Sequence, residues 1–144
     1  MTSLLVMFLA LPSAVEWKGF EYMGVHGAEF VVGDHTGVLV QCSEEQEQIL
    51  VTVHVPHEDS SPSGRQHRTV YVQLDGADTQ SIEKTDDRPF PGVFQFEPEE
   101  WFVDFLLSGG DLALRFEDVT MEIPVDAAIM KTTLDHCTGG RHVH

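Results

Sequence analysis

Between Phe30 and Ile123 apolar and polar side chains repeatedly alternate, the period of a strand with one face buried. Ile49, Val51, Val53 and Val55 alternate with Gln48, Thr52 and His54, with Leu50 the one exception. Val70, Val72 and Leu74 alternate with Thr69, Tyr71 and Gln73, and Asp75-Gly76 ends that run with a turn signal. Leu112, Leu114 and Phe116 form a third such run, and Val119, Met121 and Ile123 a partner strand across a tight connection, which Pro124 is expected to break. Upstream, Phe30–Val32 and Val38–Cys42 flank the hairpin chemistry of residues 33–37. Residues 15–27, aromatic and punctuated by glycine, read as a short strand or a loop lying on the core. Residues 77–92 are weaker, with Ser81–Glu83 as a short strand, and Val93–Phe96 follows.

Two stretches switch to helical spacing. After Pro98, Trp101/Phe105 and Phe102/Leu106 sit four apart, Glu99 and Glu100 suit the positive end of the helix dipole, and Gly109-Gly110 stops the run. Near the end, Asp126 is placed to cap a second helix. Ala127, Met130, Leu134 and Cys137 then fall on one side, turning Cys137 toward the core. The predicted fold is mainly β: an antiparallel sandwich or barrel-like sheet with two short helices in the C-terminal third. The single domain spans 15–138, between an apolar segment at 1–14 and a His-containing tail at 139–144.

Met1 to Ala14, apolar and ending Pro-Ser-Ala, has the length and close of a secretory signal and is short for a membrane span, although no Lys or Arg precedes the run. The alternative is an apolar arm packed on the body. A formal charge of −16, from 24 acidic against 8 basic residues, repels phosphate backbones and anionic lipid. Nucleic acid is therefore not an expected partner; a cationic protein is compatible. The two cysteines, Cys42 and Cys137, make one disulfide in an exported chain or two buried thiols in a cytosolic one.

The apolar start, Trp17-Lys18, a strand ending in Cys42 and the strand end at Val72–Gly76 recur in a known layout. So do the helix–Gly–Gly–strand unit at 98–116 and the closing IPVDAAIMKTTLDHC at Ile123–Cys137. Together they resemble the small exported proteins of the invasion-associated locus B type and the related accessory proteins of type VI secretion. The resemblance implies a β-sandwich-like domain in the periplasm or outside the cell, with no catalytic residues.

Candidate chemistry is sparse. The chain has no Walker loop, no GxGxxG after a strand, no GxSxG and no CxxC, so no enzymatic activity and no cofactor is expected. The adjacent acids Glu44-Glu45, Asp86-Asp87 and Glu99-Glu100 point apart on a strand or helix and make no acid–base couple alone. Glu58 and Asp59 in the polar loop 56–66, with Asp75 and Asp78, are the acidic loop-tip candidates for a partner. Val38–Cys42 and Ile49–Val55 are candidates for an open sheet edge. His136, His142 and His144, beside Cys137, form the densest set of metal-ligating types, with Cys137 removed from it by a disulfide.

These features support an exported, non-enzymatic accessory domain acting through protein–protein contacts. Two other readings stay open: a structural subunit of a larger assembly such as a viral particle, docked by its N-terminal arm, and a metal-binding protein using the His-rich C-terminus.

Overall fold

The computed structural model describes residues 16–57 and 64–138. Among the described residues nine strands form two antiparallel sheets. The first, in the order β1-β2-β3-β4-β7, comprises β1 (Trp17–Tyr22), β2 (Val25–Gly33), β3 (Thr36–Ser43), β4 (Gln48–His54) and β7 (Val93–Phe96). The second, in the order β6-β5-β8-β9, comprises β5 (Gln66–Leu74), β6 (Gln80–Asp86), β8 (Gly110–Phe116) and β9 (Val119–Val125). Helix α1 (Glu100–Ser108) carries the chain from β7 to β8, and α2 (Ala127–Thr138) ends the described chain. The fold is the mainly β sandwich with two helices that the alternation predicts.

The inner face of the five-stranded sheet follows from register. Trp17, Phe30, Val38, Val53 and Phe94 pair across it in one row; Ala28, Val40, Val51 and Phe96 fill the next. Val70, Val72, Leu112, Leu114, Phe116, Met121 and Ile123 do the same on the second sheet, and all of these side chains are buried. Phe94 meets Phe116 edge-on with ring centres 5.6 Å apart, joining the sheets. Phe96 reaches Phe102 of α1 in the same way. Helix α2 lies over the Cys42 end of the first sheet's inner face, against β1 to β4 and α1, with Met130 and Leu134 buried beneath it. Asp126 Oδ1 accepts the backbone N–H groups of Ala128 and Ile129, the cap the sequence predicts.

Several expectations change. Of the two readings for residues 15–27 the strand holds over the described part, but as a pair: β1 and the start of β2 form a hairpin around Met23-Gly24, both at positive φ, the signature of a two-residue turn matched to strand twist. The Ser81–Glu83 strand runs the length of Gln80–Asp86, because β5 supplies a full ladder for it. Pro124 does not break its strand. It stays in β9 opposite Asp111, tolerated because β9 is an edge whose second side carries no ladder among the described residues. The Pro124 carbonyl accepts the Trp17 indole N–H at 2.7 Å, tying the first strand to the last. Val38–Cys42 and Ile49–Val55 are not an open edge: β3 and β4 are interior strands, β4 being covered by β7. Their alternation reports a buried face but says nothing about neighbours in the sheet plane.

Candidate functional site

Cys42 and Cys137 are joined in a disulfide, with Cα atoms 6.0 Å apart across a sequence separation of 95. Strand alternation points Cys42 inward beside Val38 and Val40, and the last turn of α2 brings Cys137 onto it. The cystine also organises its neighbours. His26 is the cross-strand partner of Cys42, Glu44 lies two residues beyond Cys42, and His136 immediately precedes Cys137.

These three side chains converge. The imidazole rings of His26 and His136 stack with centres 3.5 Å apart and planes 2° from parallel. His26 Nε2 is hydrogen-bonded to Glu44 Oε2, and His136 Nδ1 stands 3.7 Å from the same oxygen. The His26 side chain is 11% exposed, while that of Glu44 is 49% and that of His136 41% exposed. The His26 hydrogen bond, with the nearby charges of both rings, holds the Glu44 carboxyl below the usual range against a smaller opposing effect of burial. Glu44 is anchored by its backbone N–H, which donates to the Gly24 carbonyl at 3.1 Å at the end of the β1–β2 hairpin. The three residues edge a cleft of about 480 Å³ whose other walls include Glu21, Ile129 and Thr132. A larger cleft of about 680 Å³ is lined by His35, His54 and His57. Among the described residues, however, only His26, Glu44 and His136 bring three His, Cys or acidic ligand atoms together, all within 4.8 Å of one another.

The residues singled out from sequence fare differently. His136 sits in this cluster, whereas His142 and His144 lie outside the described residues, as do Glu58 and Asp59. Cys137, committed to the disulfide, is no ligand. Asp75 is turned to internal work: its Oδ1 accepts the Asp111 N–H at 2.8 Å, and its own N–H donates to the Asp111 carbonyl at 2.8 Å. A Cβ on Gly110 would stand 2.6 Å from that carboxylate, and Gly110 has φ +137°, so glycine is required there. Asp78 is exposed between β5 and β6. Sequence reading missed His26, and took Glu44 only as one of an adjacent acidic pair that makes no couple alone. The available signal was the even spacing from His26 through Ala28 to Phe30, which places His26 on the buried face of its strand.

A second polar group closes one end of the sandwich. Arg68, 10% exposed, donates to Asp86 Oδ2 at 2.9 Å and to the Phe90 carbonyl at 3.2 Å. Its guanidinium lies over the Phe94 and Phe116 rings at 5.6 and 5.7 Å. Lys84 Nζ reaches Asp86 Oδ1 at 3.3 Å. Burial works against the Asp86 charge, but hydrogen bonds from Arg68 and Lys84 outweigh it and keep the carboxyl below its ordinary range.

The disulfide fits a chain that matures outside the reducing cytosol. Among the described residues no helix is long and apolar enough to cross a membrane. No family model, no curated protein and no solved structure matches this chain.

Proposed function

We propose that this protein is an exported accessory domain, periplasmic or secreted, that acts by contact with another protein rather than by catalysis. The disulfide carries this reading: it pins the final helix to an early strand, a closure suited to an oxidising compartment. The resemblance to invasion-associated locus B and type VI secretion accessory proteins points the same way. The contact surface best supported is the β1 edge with the β1–β2 hairpin. Tyr22 is 72% and Met23 84% exposed there, with Phe20 beside them. Exposed aromatic and Met side chains on a strand with one neighbour among the described residues suit capture of a partner.

Intact mass of the protein recovered from its native source tests the address. The expected chain lacks its N-terminal apolar segment and is two hydrogens lighter than its reduced form; a chain retaining Met1 with two thiols overturns the reading. A photo-crosslinking residue at Tyr22 in the same source is expected to capture a discrete protein adduct, and one at the exposed Asp87 is not. Equal yields, or no adduct at Tyr22, would remove the hairpin as the contact surface.

A further inference from the structure

We propose that His26, Glu44 and His136 form a binding site for one divalent transition-metal ion of the Zn²⁺ class, held in shape by the adjoining disulfide. This goes beyond the protein-contact reading and does not depend on it.

The donor set is the first reason. Two imidazole nitrogens and one carboxylate oxygen are the ligands of three-residue zinc sites that keep a fourth position for water. Hard cations such as Mg²⁺ and Ca²⁺ ask instead for an all-oxygen shell.

The distances are the second. Tetrahedral zinc with bonds near 2.1 Å places its ligand atoms about 3.4 Å apart. His136 Nδ1 and Glu44 Oε2 are already 3.7 Å apart. His26 Nε2 and Glu44 Oε2 are closer than this, in direct hydrogen bond, and must open by roughly 1 Å to admit the ion. Glu44 can make that movement, because it is half-exposed and lies just past the end of β3. Because the two rings lie in parallel planes, the exposed His136 ring must also swing out of the stack, by some tens of degrees, before both imidazole lone pairs meet at one point.

The third reason is what the cluster leaves undone. At 3.7 Å His136 makes no proper hydrogen bond to the carboxylate it faces. A cation bound at the mouth of the cluster engages all three groups and is favoured by the −16 charge of the chain. Preorganisation comes from the cystine. Residues 26 and 136 are far apart in sequence, yet each is the immediate neighbour of a bonded cysteine.

The test uses the full oxidised chain with His142→Ala and His144→Ala, so that the tail contributes no imidazole. Calorimetric titration with Zn²⁺ at pH 7.5 is expected to show one equivalent bound with micromolar or tighter affinity, undiminished by millimolar Mg²⁺ or Ca²⁺. Substituting Co²⁺ is expected to give the intense visible bands of a four-coordinate ion. His136→Ala and Glu44→Gln, both at exposed positions, are each expected to weaken Zn²⁺ binding at least about tenfold, the lower end of what even supporting-residue changes cost at metal sites. His26→Ala is expected to do the same, with circular dichroism reporting whether that buried change preserves the fold. Loss of binding in the tail variant alone, unchanged affinity in His136→Ala and Glu44→Gln, or displacement of Zn²⁺ by Mg²⁺ would overturn the proposal.

Discussion

Replacing both Cys42 and Cys137 by alanine is expected to lower the stability of the folded domain by about 4 to 5 kcal/mol. The chain-entropy account sets the scale, since a link spanning 95 residues removes a large set of unfolded conformations. A second contribution acts on the native side. Cys42 is fully buried beneath α2, and the double alanine variant leaves space between strand and helix that the core must absorb. Urea unfolding of the oxidised protein, the reduced protein and the double variant measures the effect. The two bond-free forms are expected to unfold at much lower denaturant than the oxidised form. A midpoint unchanged on reduction would show that α2 is held by its Met130 and Leu134 packing alone. Hydrogen exchange adds a spatial readout: amides of α2 are expected to lose protection before those of β5 and β8, whose ladders lie in the other sheet.

Asp86→Ala is expected to cost about 2 kcal/mol, below the range for a fully buried ion pair because the Asp86 side chain keeps 23% of its exposure. Arg68 stays behind, 10% exposed, with Lys84 opposite it in the β5–β6 register and no carboxylate between them. The Arg68 Nε is already buried without a partner, so the guanidinium has no spare hydrogen bonds to lose. Asp87→Ala, one residue on, removes only an exposed carboxylate 3.8 Å from Arg65 and is expected to change stability by less than about 0.5 kcal/mol. The difference between these neighbours distinguishes a structural charge from a solvated one.

The pH dependence follows from the depressed Asp86 carboxyl. A lowered native value means the unfolded chain binds a proton first as pH falls. The stabilising contribution is therefore complete above the ordinary aspartate value of about 3.9 and declines below it. It disappears once the pH has passed the native value. The gap between wild type and Asp86→Asn in urea midpoint is expected to be constant from pH 7 to about 5 and to close in stronger acid. A gap that widened in acid would contradict the ion-pair role.

Much of this architecture was legible because local patterns carry it. Val70, Val72 and Leu74, or Leu112, Leu114 and Phe116, declare strand and buried face together, since only a two-residue period puts all three on one side. Asp126 declares a helix start because its short carboxylate reaches two orphan N–H groups within three residues. The helical spacing through Met130 and Leu134 to Cys137 even pointed the last cysteine inward. Pro124 shows the limit: its missing N–H is costly inside a sheet and harmless at an edge, and edge position is a property of the whole sheet.

By itself the sequence determined the β period, the turns at residues 33–37 and Asp75-Gly76, the capped final helix and the acidic charge, because each is a matter of composition or of neighbours a few residues apart. Only the tertiary structure decided which strands are interior, that the two sulfurs meet, and that His26, Glu44 and His136 share one point. The physical reason is that these groups interact across strand pairs and a helix–sheet interface, over separations of up to 110 residues between His26 and His136, where no local spacing rule applies.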